Sequence, residues 1–495
     1  MVAELTKTQL FNWAEMNGKL YSNGWRDGIQ TTNVVAPATG KILGQAALGS
    51  AAIIAEAAEI AAEAQKKWVL VPPEEKRSLL IRADALLHKY ADEICDVTMR
   101  EIGATRSKAM FEITFCSDEF LEAASYPTQH FGALLADRAN RKSYAVRVPY
   151  GVVAALTPSN VPLLLAARVI APALATGNAV IVKPHPASIA CGGFMFARIF
   201  EEAGLPPGLL HVIPARGKEA EAFETDPNIS MIHFTGSSST GQRIAETASR
   251  SLKKVSISGS GKNPFVVLED IEDIEATVST AVFSTFYFGG QSCMTAGRHL
   301  VHRSLVDDYI RRFVETASKL VVDDPVANPD AFYGPMIQPE MVHRQEEIVN
   351  DAVAKGATLH LGGKASGPFF HPTILSGVKP GMIAWNEEIF GPIAAITAFD
   401  TDDEAVRLAN DTAYGLSGAV FGSQVRATRV AEQLQTGMIH INDRSTDDSA
   451  YVPFGGVKLS GNGGRYGSHV NWDEYTQWRW LTISEKPTLV SFFGH

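Results

Sequence analysis

Between residues 151 and 258 the chain reads GVVAALTP (151–158), NAVIVKP (178–184), LLHVIP (209–214), SMIHFTGS (230–237) and KVSIS (254–258), with helix-length segments such as 187–203 and 241–252 between the runs. Short runs that are apolar on both faces fit strands covered by helices on each side, and their alternation with helical segments predicts a parallel α/β sheet. In open sheets of this kind, ligands sit at the carboxyl ends of the strands. A second alternating series runs from about Pro264 to Ser460. It contains RHLVHR, helical patterns over 305–320 and 339–355, TLHLGG, PIAAITAFD, a helical pattern over 402–410, GAVFG and GMIHIND. This predicts a second α/β unit.

Outward from these two units, the opening third is helical. Residues 51–68 and 73–94 place Ile, Leu and Ala at three- and four-residue spacing, with Pro72 and Pro73 between them. Two segments alternate at period two instead: RKSYAVRV (141–148) and YTQWRWLTI (475–483). Exposed strands need pairing, so these two predict a small sheet, formed with each other and with a neighbouring subunit. The basic residues Arg138, Arg141, Lys142 and Arg147 then read as a solvated edge.

The 495 residues carry 44 Lys plus Arg against 54 Asp plus Glu, a net charge of −10. No global basic field exists to hold nucleic acid or an anionic membrane. The length exceeds one ordinary core, and 45% hydrophobic residues can fill several. Cys95, Cys116, Cys191 and Cys293 are too few and scattered for a disulfide framework or a CxxC zinc site, which fits a reducing compartment. The first residues lack a basic region followed by an apolar stretch, and no run long enough to span a bilayer occurs, so a cytoplasmic protein is expected. The sequons at Asn228 and Asn410 are discounted accordingly.

Several segments carry residue types suited to chemistry. FYFGGQSCMTAGR places Cys293 after two glycines and before a strand, where backbone N–H dipoles can approach a thiolate; a buried structural cysteine is the other reading. FTGSSSTG (234–241) leaves a strand and enters a helix with little side-chain bulk, as a pyrophosphate would need, or as an ordinary capped turn would. Lys183 ends a buried strand, where an ammonium suits a ribose hydroxyl or a phosphate. Asn160 in LTPSNVP is placed to donate to an oxyanion, or simply to form a turn. The aromatics Phe283, Phe286, Tyr287 and Phe288 read either as core or as an apolar substrate approach.

Taken together, TPSN, VKP, FTGS, GKNP, GGQSC, EEIFGP, NDTAYGLSGAVF and PFGGVKLSG resemble the NAD(P)-dependent aldehyde dehydrogenase superfamily, in its order and over nearly the whole chain. AGRHLVHR, GGRYG and the tail's EKP look most like its bacterial benzaldehyde dehydrogenase branch. The resemblance implies a Rossmann-type cofactor domain at 1–130 and 149–260, a catalytic domain at 261–465, and oligomerisation segments at 131–148 and 466–495, assembled as a dimer or tetramer. It further implies Cys293 as the nucleophile toward a hydrophobic, aromatic or similarly conjugated aldehyde, with Asn160 and the Cys293 N–H holding the oxyanion. Thr157, Pro158, Lys183, Gly236, Ser237, Gly241, Glu388 and Phe390 would hold the cofactor. No metal is implied. NAD is the expected cofactor, with NADP left open because Pro186 stands where NAD-preferring relatives often carry a glutamate.

The chain also departs from the pattern. Ser258 occupies the position of the general-base glutamate, Gly259 and Ser260 alter the next two positions, and Ser159 replaces the Trp before Asn160. A serine cannot take a proton from water as a carboxylate does, so base assistance of about 10²- to 10⁴-fold is missing from thioester release. Release to water by another route is the first reading. Transfer of the acyl group to coenzyme A is the alternative, and a catalytically impaired binding protein is the third.

Overall fold

The strands around residues 151–258 are buried on both faces because helices cover each side, and this explains their unbroken apolar runs. The computed structural model describes residues 10–11, 13–129 and 131–487. The first sheet contains β1 (Val152–Leu156), β2 (Ala179–Lys183), β3 (Leu210–Val212), β4 (Ile229–Thr235) and β5 (Lys254–Ser258). Their spatial order is β5-β4-β1-β2-β3, all parallel, extended at the β3 edge by the antiparallel pieces Leu20–Ser22 and Trp25–Arg26. The strand order reverses at β1, so a crevice opens beyond the carboxyl ends of β1 and β4.

The second sheet contains β6 (Asn263–Val267), β7 (Ala296–His302), β8 (Thr358–Leu361), β9 (Thr373–Ser376), β10 (Ile393–Phe399), β11 (Ala419–Phe421) and β12 (His440–Ile441). Its order is β8-β9-β10-β7-β6-β11-β12, parallel except for β8. Separate apolar clusters pack against it, one around Trp385 and Phe399 and one around Phe265 and Phe313. Arg141–Pro149 pairs antiparallel with both Thr476–Ser484 and Gly132–Leu135 in a third, three-stranded sheet, which matches the pairing expected of the two alternating segments.

Local differences from the sequence reading have physical causes. The helical pattern over 73–94 is two helices, Pro73–Lys89 and Ala91–Ile102, because Tyr90 leaves helical geometry (φ −104°, ψ 15°) and donates its hydroxyl to Glu202 at 2.9 Å. The pattern over 187–203 opens as a wide π-turn at Ala190–Phe194, whose free N–H groups at Ala190 and Cys191 are taken by the buried Glu101 carboxylate at 2.8 and 2.7 Å. The reading of the first residues falls partly on 1–9 and 12, and that of the 466–495 segment partly on 488–495; these lie outside the described residues. Among the described residues, no helix is long and apolar enough to cross a membrane.

Two helices fix the chain where it enters the crevice. In α1 (Arg106–Ser125), Lys108 and Glu112 form a fully buried ion pair one helical turn apart. The Lys108 ammonium also donates to the Asn160 carbonyl at 2.7 Å and lies 4.1 Å from the Phe288 ring centre. Glu112 accepts from the N–H groups of Leu163 and Leu164 at the start of α2 (Pro162–Ala175), a helix whose own N-cap residue supplies no side-chain bond. Glu112→Ala would strand a buried ammonium and uncap α2. The expected loss is about 3–5 kcal/mol, read from the denaturant midpoint, and a loss below about 1 kcal/mol would show the pair to be dispensable.

Candidate active site

The loop that carries Cys293 is shaped by close backbone approach. After α3 (Ile274–Phe286), residues Phe288, Gly289 and Gly290 all take left-handed φ values of 52, 62 and 68°. A Cβ on Gly290 would fall 2.2 Å from the Gly391 carbonyl, so only glycine closes this turn. Phe288 accepts the strain and packs beneath Lys108. Gln291 fastens the turn, donating to the Phe288 and Pro335 carbonyls and accepting from the Ile337 N–H.

Beyond the turn, the buried Asn263 amide holds the loop to the second sheet. Its Nδ2 donates to the carbonyls of Cys293 and Thr295, both at 2.8 Å, and its Oδ1 accepts from the Ser417 N–H at 2.9 Å. Gly261 passes so near that a Cβ there would lie 2.0 Å from the Cys293 carbonyl. Asn263 belongs to the GKNP segment, but the sequence carried no sign of this clasp, because all three partners are remote in the chain.

Cys293 stands where two cavities meet. One is a groove of about 470 Å³ at the carboxyl ends of β1, β2 and β4, lined by Thr157, Pro158, Asn160, Lys183, Gly236, Ser237, Glu388 and Phe390. The other is a small cavity of about 100 Å³ walled by Phe111, Phe115, Phe283, Tyr287, Phe288 and Phe454. The sequence-derived residues therefore converge, except for two behind the groove wall. Gly241 lies in the first turn of the helix Ser238–Ser249, packed against Ile257, and Ser258 is buried at the end of β5. Of the aromatic cluster, Phe283, Tyr287 and Phe288 face the small cavity, whereas Phe286 packs in the core against Phe313.

The groove's donors suit a dinucleotide. The helix that begins at Ser238 has no side-chain cap, leaving its first N–H groups free toward the groove. The Thr157 hydroxyl is buried without a partner. Lys183 faces Arg216, and burial together with that like charge lowers its pKa from the ordinary value. Glu388 accepts from the Gly261 N–H at 2.9 Å; burial raises its pKa, with the Ser260 hydroxyl opposing. Phe390, at φ 47°, is held in left-handed strain beside it. Among the described residues no cluster of three or more metal-ligating side chains occurs.

Electrostatics favour the protonated form of the Cys293 thiol. Burial pushes the Cys293 thiol up to about 12, with the nearby carboxylates of Glu388 and Asp448 adding to the effect. In the small cavity's wall, Arg168 is fully buried and paired through Nε with Glu119 and through Nη1 with Asp448, both at 2.8 Å. Its Nη2 has no partner, nor has the Thr446 hydroxyl in the same wall.

A family model described as "Aldehyde dehydrogenase family" matches residues 25–481. A vanillin dehydrogenase of an Amycolatopsis species is 39% identical, with 94% of this chain and 96% of that protein aligned. A benzaldehyde dehydrogenase [NAD(+)] of Pseudomonas putida is also 39% identical, over 96% of this chain and 98% of its own. The crystal structure of a salicylaldehyde dehydrogenase from Pseudomonas putida G7, complexed with salicylaldehyde, superposes with a TM-score of 0.92 at 35% identity, covering 96% of this chain and 100% of that one.

The raised thiol pKa fixes the pH response of the cofactor-free protein. Thiolate is scarce at neutral pH and its fraction rises with pH up to the folded pKa. Alkylation of Cys293 by iodoacetamide, followed by mass, should therefore accelerate about tenfold per pH unit from about 7 to 10. A plateau near neutrality would mean the sulfur is already ionised.

Proposed function

Because the chain belongs to the aldehyde dehydrogenase family and is an NAD(P)-dependent enzyme of it, we propose that it oxidises small aromatic aldehydes to their carboxylic acids through an acyl group held on Cys293. The observation that carries this reading is the meeting of an aromatic-walled cavity and a dinucleotide-sized groove at one sulfur atom. In this reading residues 1–130 and 149–260 form the cofactor domain and 261–465 the catalytic domain. NAD+ is the cofactor, as the name of the Pseudomonas putida relative states for that enzyme.

The chemistry follows from the residues. An aldehyde whose ring lies among Phe115, Phe283 and Phe454 presents its carbonyl to Cys293. The thiol proton is lost to solvent through the groove as the carbon–sulfur bond forms, and negative charge gathers on the carbonyl oxygen. The Asn160 amide and the Cys293 N–H are the donors for it, each worth about 3 kcal/mol in a site that excludes water. Lys183 and Ser237 hold the cofactor's adenosine end and pyrophosphate, and Glu388 its nicotinamide ribose, with Phe390 beside the ring. The nicotinamide, when bound, supplies the hydride acceptor. Cys293 is left carrying a thioester.

Release of that thioester is where this chain differs from its family's usual pattern. Ser258 can neither deprotonate water nor carry a charge, so hydrolysis proceeds without a carboxylate base. Water remains the acceptor in this reading. Ser258 is also the observation that favours the second reading, transfer to coenzyme A.

The unpartnered Arg168 Nη2 and Thr446 hydroxyl favour a ring that bears oxygen, since a buried donor without a partner costs about 1–3 kcal/mol until a substrate supplies one. A hydroxy- or methoxybenzaldehyde should then exceed its methyl-substituted isostere in kcat/KM by about tenfold or more. Equal values would remove this preference. With NAD+ and aldehyde alone, mass analysis should find free acid over many turnovers; a requirement for coenzyme A would favour the second reading.

The third sheet suits assembly with another copy of the chain. Thr476–Ser484 and Gly132–Leu135 are its two edges, and Leu134 (72%), Trp480 (66%), Trp478 (55%) and Ile483 (52%) are exposed on it. A surface this apolar in a monomer is uncommon. Leu134→Lys combined with Trp480→Lys should halve the mass seen by light scattering, and a wild type that is already monomeric would overturn this reading.

A further inference from the structure

Behind the wall that carries Cys293, buried polar atoms without hydrogen-bond partners fall in a row. They are the hydroxyls of Tyr466, Ser258 and Ser256 and Oε1 of Glu474. Lys254, Ser256 and Ser258 alternate along β5 and so share one face of it. At the inner end, the Tyr466 hydroxyl faces that of Ser258, which opposes the effect of burial on the tyrosine, and neither hydroxyl has a partner beyond the other. Tyr466, with Phe454 and Leu416, forms the small apolar cluster against which Cys293 packs. At the outer end, Ser256 and Glu474 crowd Gly464 from one side. A Cβ on Gly464 would lie 2.7 Å from Ser256 Oγ and 3.1 Å from Glu474 Oε1. Glu474 Oε2 then meets the Lys254 ammonium at 3.4 Å, on a side chain that is 30% exposed.

One isolated orphan hydroxyl is tolerable, but a contiguous row of them is not left dry in a folded protein, because each costs about 1–3 kcal/mol. Internal water satisfies such rows, each molecule taking about three hydrogen bonds. We infer that a file of internal water runs from the Lys254–Glu474 surface pair to the Cys293 sulfur, and that its innermost molecule, positioned by Ser258 and Tyr466, is the water that releases the acyl group. The inference rests on the hydrolytic reading above and says how release occurs without a glutamate.

The step balances without a carboxylate. The water oxygen bonds to the thioester carbon, the carbon–sulfur bond breaks, and its electron pair goes to sulfur. One water proton ends on the Cys293 thiolate, whose proton affinity is high because the site is buried. The other is lost from the carboxylic acid product and leaves along the file to solvent. Ser258 and Tyr466 orient the water and remain neutral; burial raises the tyrosine's pKa above its ordinary value. They are positioning residues, and Ser256 keeps the file open.

Acyl transfer and acyl release can be read separately on the full-length enzyme with benzaldehyde and NAD+ as probes. NADH formed in the first turnover reports acylation, and intact mass after removal of free aldehyde reports the lifetime of the acyl-enzyme. Tyr466→Phe and Ser256→Val should each lengthen that lifetime by about tenfold or more while first-turnover NADH stays within about twofold of wild type. A residue of merely structural importance would lower both together. Should Tyr466→Phe fail to fold, Ser256→Val, which plugs the file away from the sulfur, carries the test alone. Wild-type lifetimes in the folded variants, or a parallel fall in both readouts, would overturn the water file and leave the hydrolytic reading standing. An acyl-enzyme that persists in the wild type until coenzyme A is added would instead remove the hydrolytic reading, and the file's catalytic role with it.

Discussion

The position of the Cys293 sulfur depends on the side chain of Asn263. A single buried amide uses both its donor sites on the Cys293 loop and its acceptor on the segment that opens β11, so the loop, the second sheet and the strand after it share one fixed point. The bonds saturate most of what an amide can make. Gly261 lies against the same carbonyl with no space for a side chain. The loop therefore cannot slide along the sheet edge without losing several buried bonds at once, and Cys293 stays at the junction of its two cavities.

A comparable economy governs the first half of the chain. Buried carboxylates on the covering helices serve as remote caps: Glu101 for the π-turn at Ala190, and Glu112 for α2. Each exchanges the cost of burying a charge for two backbone donors that no neighbour in sequence could satisfy. Their pKa values rise all the same, because burial outweighs the bonds they receive. Glu119 is pushed up to about 7 for the same reason, even with Arg168 beside it. The result is a crevice whose walls are held by interior electrostatics, while its lining is left free for ligands.

The central strands of both sheets were legible because burial on two faces writes itself as a continuous apolar run, and the helix over 402–410 because its face is strictly periodic; Thr373–Ser376 and the edge pieces at 20–26 were not. Most of the groove's lining was legible too, because small residues at a helix start and a lysine at a strand end fall where the sheet's carboxyl edge opens. The rest depended on contacts between residues far apart in the chain. Glu112 looks like any polar helix position until α2 arrives above it, and Arg168 sits in an apolar helical run with no hint that its partners are Glu119 and Asp448. The kink at Tyr90 escaped for the opposite reason, since the apolar period continues across it while the backbone does not.

On the reading proposed above, a hydroxyl at residue 258 in place of a carboxylate would alter more than one proton transfer. A glutamate there would bring a third negative group toward a sulfur that already has Glu388 and Asp448 nearby, and would raise the thiol's proton affinity further. On that reading the serine spares Cys293 that repulsion but withdraws the base, so acylation would gain and release would lose. Ser260 bonds through its N–H to the Ser238 hydroxyl and accepts through its carbonyl from the Ser460 hydroxyl, while the next N–H, at Gly261, goes to the Glu388 carboxylate. On that reading the strongest base beside the acyl group would be the departing sulfur itself, and the burial that raises its pKa would make it the natural acceptor when the thioester opens.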